Sequence, residues 1–569
     1  MSTPRIVTRD VPQAAFEQLL ASDMPPVVAR IYAARGIAHL RQLDTSLAGL
    51  LPVDSLQHCT TMAGLLADAI AAGQRLLIVA DYDADGATAC AVGINALRAF
   101  GAQVDFLVPN RFEYGYGLTP EIVRLAAAGN PDYLITVDNG IASVEGVEEA
   151  HKTGMQVLIT DHHLPGAELP RAACIVNPNQ ATCTFASKNL AGVGVMFYVM
   201  MALRAELRRR GWFSSRAEPN LAELLDLVAL GTVADVVRLD DNNRILVDQG
   251  LKRIRAGRAR PGIAALFQAA GRDPARASTY DLGFVAGPRL NAAGRLTDMR
   301  LGIECLLATD ARRAAELAAQ LDALNRERRE IEAGMQETAL TLMDSLEPSE
   351  SFSLSLFQES WHQGVIGILA ARLRERYHRP VIAFAPGADG EAKGSGRSIR
   401  GLHLRDALDL VSKRHPGLIL RFGGHAAAAG LSIRMADVEK FGEAFEQTVC
   451  ELLSPADLER IIETDGPLGT DDTNLQLAEA LDAQVWGQGF APPAFFDPFE
   501  VAEQRVVGGR HLKLRLRCPG TKGALDAILF NDGGPLPRHI SAVYRLQVNE
   551  YNGVRKVQLG VEHWRPGGS

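Results

Sequence analysis

A chain of 569 residues, 47% apolar and 22% charged, is longer than one hydrophobic core usually organises, so two to four domains are expected. Seven scattered cysteines without a CxxC pair exclude a disulfide framework. No run approaches about eighteen uninterrupted apolar residues, and MSTPRIVTRD lacks a charged-then-apolar leader, so a cytoplasmic protein without membrane spans is expected. The net charge of -8 decides little about nucleic acid, because acidic side chains grouped around metals are neutralised locally.

In chain order, residues 1–70 read as an N-terminal helical segment. From Arg75 to about Pro178 the strand-length runs LLIV, VDFLV, YLITV, QVLIT and CIVNP alternate with helical stretches such as GATACAVGINALRAF. That alternation predicts βαβ units and a parallel sheet. Ligands of such sheets gather beyond the carboxyl ends of the strands. Asp81, Asp138 and Asp161 each follow a strand directly and are therefore expected to converge.

From Asp310 to Ser345 there is no proline, and Leu317, Leu321, Leu324, Ile331 and Met335 recur at steps of three or four where helix periodicity holds. A long helix is predicted, either bridging two domains or buried within one. A second α/β unit follows from about Phe352 to Val449, with strands near SFSLSLF, PVIAFAP, GSGRSI and GLSIRM. The last hundred residues change to short alternating runs with turns such as NDGG and YNG. In HLKLRLRC, His511, Lys513, Arg515 and Arg517 share one face and Leu512, Leu514 and Leu516 the other, which predicts a small β-barrel with one basic face.

The densest chemistry lies in LLIVADYDADG. Asp81, Asp83 and Asp85 repel one another unless a cation sits among them. A calcium EF-hand is excluded, since its twelfth position requires Glu and this chain has Val92 there. Further hard ligands follow at equivalent places: Asp138 in VDNG, Asp161, His162 and His163 after QVLIT, and Asp235 in LGTVADVV. Imidazole among carboxylates suits Mn²⁺ better than Ca²⁺. Two cations about 3.5–4 Å apart can hold an attacking hydroxide and a leaving oxygen for in-line phosphoryl displacement.

DYDADG, VDNG, DHH and GTVADVV, in that order, resemble the four motifs of the DHH phosphoesterase superfamily. The likeness continues through PNRFEYGYGL, GPRLNAAGR, SWHQGVIGILAARL, GSGRSI and GGHAAAAG, and is strongest to the branch of bacterial 5′ to 3′ exonucleases specific for single-stranded DNA. It implies an α/β protein in which a DHH-type parallel sheet (71–305) and a DHHA1-type domain (351–455) are joined by a connecting helix (306–350). An OB-fold barrel (456–569) completes the chain.

By the same resemblance, Asp83, Asp85, Asp138, His162 and Asp235 hold Mn²⁺ or Mg²⁺, two per site, with Asp138 as the bridge. Asp81 and His163 assist beside the metals or the scissile phosphate. Some members carry a histidine where this chain has Val79, so one metal site is expected to be less complete.

Arginine forks match phosphate oxygens. The resemblance implies that Ser395 and Arg397 receive the 5′-terminal phosphate, with Arg111, Arg289 and His425 along the path and Lys513 and Arg515 tracking the backbone on the barrel. Tyr544 and Tyr551 are candidates to stack bases. On the residues alone, GSG and GG can be simple turns, the alanines after His425 a packed helix start, WHQG (Trp361, His362, Gln363) a strand-to-helix turn, and the basic barrel face a plain solvated surface.

Implied partners are single-stranded DNA, a single-stranded-DNA-binding protein and a RecQ-type helicase, with a monomeric enzyme. Rival readings are a DHH phosphoesterase acting on pyrophosphate, oligoribonucleotides or cyclic dinucleotides, and a catalytically dead single-strand binder.

Overall fold

The computed structural model describes residues 4–110, 114, 117–344, 351–521, 523–551 and 553–567. These fall into two compact units, the smaller holding residues 4–7 and 323–462 and the larger residues 8–322 and 463–567. Strand β1 (Arg5–Thr8) opens the chain, and helices Gln13–Leu20, Pro26–Ala33 and Cys59–Ala71 follow it before the first sheet strand.

The larger unit contains a parallel five-stranded sheet of β2 (Arg75–Ala80), β3 (Gln103–Leu107), β4 (Tyr133–Val137), β5 (Gln156–Thr160) and β6 (Cys174–Val176). The strand order is β3-β2-β4-β5-β6, so the chain reverses direction across the sheet between β2 and β4. Each strand is one of the apolar runs read from the sequence. They are apolar nearly throughout because helices cover both faces of a parallel sheet.

The long helix forms as predicted, a single 34-residue element from Ala311 to Asp344. It belongs to the larger unit up to Asp322 and to the smaller from Ala323 onward. In the smaller unit, β7 (Leu354–Phe357), β8 (Val381–Pro386), β9 (Glu391–Arg397), β10 (Ile419–Gly424) and β11 (Ala428–Arg434) make a mixed sheet in the order β10-β11-β9-β8-β7. The alanines after His425 are not a helix start. His425 donates its N–H to the Ala428 carbonyl across a tight turn, and Ala428 begins β11, in which Ala429 pairs with Gly396 and Gly430 with Ser395 of β9. WHQG is a strand-to-helix turn: Trp361 is buried and the segment leads into the Ile366–Tyr377 helix.

After β12 (Ile461–Thr464), strands β13 (Phe495–Val507), β14 (His511–Arg517), β15 (Leu525–Leu529), β16 (His539–Tyr551) and β17 (Val554–Pro566) close a barrel in the order β13-β14-β15-β17-β16. Closure removes the exposed edges that would otherwise invite further pairing. Leu512, Leu514 and Leu516 are buried, as their alternation predicts. The expectation that Tyr544 stacks bases is overturned. Its ring is 1% exposed between Phe495 and Phe499, and its hydroxyl donates to Asp497 at 2.9 Å. Strand alternation turns that position inward, where a phenol needs a buried acceptor. The Tyr551 side chain lies outside the described residues.

The segment before the barrel is tied to the N-terminal helices. Arg35 forms a two-point pair with Asp465, at 2.7 and 3.0 Å, with side-chain exposures of 2% and 1%. Its remaining donors reach the carbonyls of Ile31 and Ala491. Tyr32 stacks on Trp486 beside it, and Arg244 lies over Phe490.

Breaking a buried pair leaves an uncompensated charge, so Arg35→Ala is expected to cost about 3–5 kcal/mol, whereas Arg35→Met with Asp465→Leu recovers most of that loss. Denaturant unfolding of both variants checks this. A single variant as stable as the parent would contradict it.

Candidate metal centre

DYDADG folds as a strand end running into a helix. Asp81 follows β2, and Asp83 caps the Ala84–Phe100 helix, its Oδ1 accepting the N–H groups of Asp85 and Gly86 at 2.9 and 3.0 Å. Carboxylates are favoured at a helix start by the unpaired N–H groups and the dipole. Asn291 accepts the Ala84 N–H at 2.8 Å and pins the same turn from the Gly287–Leu296 helix.

Asp85, the second residue of that helix, is fully buried. Its Oδ2 and Oδ1 accept the N–H groups of Gly192 and Val193 at 2.6 and 2.8 Å, so it also caps the Gly192–Arg209 helix. A side chain at Gly192 has no room, since a Cβ there would lie 2.6 Å from Asp138 Oδ1.

Asp138 follows β4 with a left-handed backbone, φ 62°, and is buried. Such a conformation in a non-glycine residue is typical of functional turns. After β5, the Asp161 carboxylate accepts the N–H groups of Ile141, His162 and His163 and approaches His163 Nδ1 at 2.8 Å. Asp161 therefore orients the two histidines and leaves the metal-facing role to others. Asn179 and Asn177 donate to the carbonyls of His162 and His163 at 2.6 and 2.9 Å.

His162 Nε2 points into the acidic cluster, 3.0 Å from Asp138 Oδ1, 3.5 Å from Asp235 Oδ2 and 3.8 Å from Asp85 Oδ2. Asp235, at the end of the Leu225–Ala234 helix, keeps 21% of its side chain exposed and marks the mouth of the site. Ligand atoms lie within 4.8 Å of one another in three overlapping groups: Asp81, Asp83 and Asp138; Asp85, His162 and Asp235; Asp138, His162 and His163. Asp138 and His162 each belong to two of them. Val79 packs in the apolar cluster with Leu118 and Ile141 and supplies no ligand.

The electrostatics call for cations. Burial, and then the Asp83 charge, push Asp85 up to about 7. Burial followed by the neighbouring carboxylates raises Asp138 and Asp235 well above the usual range. Burial acts against protonation of His163, but the Asp161 hydrogen bond and charge outweigh it and lift that imidazole to about 9. Oxygen-rich ligands with one or two imidazoles fit a small divalent cation such as Mn²⁺ or Mg²⁺.

The expected phosphate ligands are spread more widely. Arg111 lies outside the described residues. Arg289 is buried, with its guanidinium 2.8 Å from Asp322 and donating to the Val285 carbonyl, so here it braces the helix. In the smaller unit, Ser395 and Arg397 project from the same face of β9, and Arg397 donates to Ser395 Oγ at 3.2 Å. Gly367, at the start of the Ile366–Tyr377 helix, allows that helix end to approach them, since a Cβ there would lie 2.9 Å from Ser395 Oγ. His425 is exposed in the β10–β11 turn, opposite the end of β9. On the barrel, Lys513 and Arg515 share a face of β14, but Asp526 pairs with Arg515 at 3.2 Å and Glu500 with Arg517 at 3.1 Å. That face is laced with acids and is less basic than its own strand suggests.

Residues 75–232 match the DHH family N-terminal domain, residues 350–451 the DHHA1 domain and residues 464–563 the RecJ OB domain. The chain is 52% identical to the single-stranded-DNA-specific exonuclease RecJ of Dickeya dadantii over 99% of its own length and 100% of the relative's. It is 50% identical to the protein of that name from Escherichia coli, over 96% and 97% of the two chains. The crystal structure of RecJ with Mn²⁺ from Thermus thermophilus superposes with a TM-score of 0.83 at 30% identity, covering 99% of this chain and 80% of that one. Half of its residues shared end to end, all three domain families in order and one common fold establish that the chain belongs to the RecJ family of the DHH superfamily.

Proposed function

We propose that this chain removes 5′-mononucleotides from the 5′ end of single-stranded DNA, using two divalent cations, Mn²⁺ or Mg²⁺, at the carboxylate cluster. The observation that carries the reading is the set of three ligand groups linked through Asp138 and His162, each of which belongs to two of them. Paired cations, when bound, polarise the scissile phosphodiester and make water nucleophilic near neutral pH.

Asp83, Asp85, Asp138, His162 and Asp235 are the proposed ligands, with Asp138 between the two groups and Asp81 in support. Asp161 bonds His163 Nδ1 and orients that ring beside the site, where it can face the scissile phosphate. Water adds to phosphorus and the 3′ oxygen of the terminal nucleotide leaves. In the smaller unit, Ser395 and Arg397 offer a hydroxyl and a guanidinium fork to the 5′-terminal phosphate. Arg111, Arg289, His425, Lys513 and Arg515 are the further DNA contacts of this reading.

The division into a helical lead, DHH, connecting-helix, DHHA1 and OB segments at 1–70, 71–305, 306–350, 351–455 and 456–569 belongs to the same proposal. So do a monomeric state, a cytoplasmic location, and work alongside a single-stranded-DNA-binding protein and a RecQ-type helicase. Among the described residues no helix is long and apolar enough to cross a membrane.

Replacing a ligand shared by two metal groups is expected to lower kcat at least ~100-fold. A digest of 5′-phosphorylated single-stranded DNA by Asp138→Ala, run beside a blunt duplex on the parent, checks this. Undiminished digestion by the variant, or equal rates on duplex and single strand, would refute the proposal.

Cation binding should also couple to pH. Asp85 sits near 7 in the folded protein and near 3.8 when unfolded, so between those values the folded state binds a proton that the unfolded state lacks. Without metal, this contribution to stability is present at low pH and is lost as pH rises through about 7. Cations replace that proton, so Mn²⁺ is expected to raise Tm more at pH ~8 than at pH ~5.5. Thermal melts in chelator and in Mn²⁺ at both pH values measure it, and an equal rise at both would contradict it.

A further inference from the structure

A cavity of about 550 Å³ opens within the larger unit next to the metal centre, lined by the end of the Leu225–Ala234 helix, the turn before Gly287 and the segment leading to the barrel. Val236, the second residue after that helix and the neighbour of Asp235, is 63% exposed and holds a left-handed backbone with φ 63°. For a β-branched residue that conformation is strained. Opposite it, Tyr280 and Phe284 are 58% and 66% exposed, with ring centroids 5.0 Å apart and planes inclined by 25°. Trp486 and, from barrel strand β16, Gln547 complete the walls.

Three large apolar side chains held in the open beside one cavity are costly in water and mark a contact surface. Phe284 sits in a π-helical turn, Leu282–Ala286, that runs directly into the Gly287–Leu296 helix. Turns of this kind recur at functional sites. That helix carries Asn291, which accepts the Ala84 N–H of the acidic run, so the stretch bearing Phe284 also touches the metal centre, and Val236 on the facing wall adjoins Asp235. The cavity is thus lined on one side by Val236, the neighbour of Asp235, and on the other by Arg545, Leu546 and Gln547 of the barrel. Flat aromatic faces take nucleobases irrespective of sequence.

We propose that Tyr280 and Phe284 form a stacking subsite for a nucleobase on the 3′ side of the scissile bond, beyond the second nucleotide of the strand. The subsite rests on the exonuclease reading above and adds to it a positioning role: a base seated there fixes the strand while the terminal nucleotide lies at the metals. Polar side chains such as Gln547 meet the base edge or sugar-phosphate without demanding one base.

The test is steady-state digestion by the full chain in Mn²⁺, comparing the parent, Tyr280→Ala/Phe284→Ala and Tyr280→Phe/Phe284→Tyr. Substrates are a 5′-phosphorylated dinucleotide, a long 5′-phosphorylated strand, and long strands with one abasic position walked from the 5′ end. The double alanine variant is expected to raise KM for the long strand about tenfold, to leave kcat within about twofold and to spare the dinucleotide, while the conservative variant behaves as the parent. The parent should show one abasic position that weakens binding, and that penalty should vanish in the double alanine variant. An unchanged KM, an equal rise for the dinucleotide, or a persisting abasic penalty would overturn the subsite. So would loss of self-association in sedimentation at unchanged KM, which would assign the surface to a second copy. A parent inactive on every strand would instead refute the exonuclease reading.

Discussion

Mutual repulsion of carboxylates at the end of a parallel sheet is the constraint on which the rest of this structure depends. Asp81, Asp83, Asp85, Asp138 and Asp235 fall in linked groups of closely spaced ligand atoms, and burial with like charge disfavours the charged forms of Asp85, Asp138 and Asp235. A protein tolerates such a cluster where something cationic compensates it. His162 enters the cluster, and the Gly192 and Val193 N–H groups bind Asp85 from behind. These interactions hold the acids in place without neutralising them, and divalent cations supply the missing charge.

The sheet makes that geometry possible. Adjacent parallel strands deliver Asp81, Asp138 and Asp161 at one edge because each follows its strand in the same register. The residues then divide the labour. Asp161 faces backbone N–H groups and His163, while Asp138, at φ 62°, turns its carboxylate inward. The same strand-end position thus yields an orienting carboxylate in one case and one that faces the acidic cluster in the other.

Much of this was legible in the residues. Apolar runs ending in Asp give away both the sheet and the rim of the site, and the proline-free stretch after Asp310 gives away the long helix. What escaped depends on partners far away in sequence. Nothing around Asn291, Asn177 or Asn179 announces that they hold the acidic and histidine turns, since an asparagine beside a carbonyl or N–H looks like any loop residue. The motif CIVNPN, directly after a strand that ends at the site, was the one available signal. Tyr544 was misread because alternation tells that two faces exist and not which one a closed barrel turns inward. Strand β10, ILRFGG, was missed because its charge and glycines do not look like a buried strand, and the alanines after His425 pass for a helix until Ala428 and Ala429 are seen to pair with Arg397 and Gly396 of β9. The aromatic cavity beside Asp235 draws on segments some 300 residues apart, and no local pattern could assemble it.

Anomalous diffraction from crystals equilibrated with Mn²⁺ tests the central claim most directly. Two Mn²⁺ peaks are predicted within the cluster of Asp81, Asp83, Asp85, Asp138, His162 and Asp235, with at least one lost in Asp138→Asn. An ordered cluster that shows no Mn²⁺ at saturating concentration, or the same two peaks in that variant, would contradict the account.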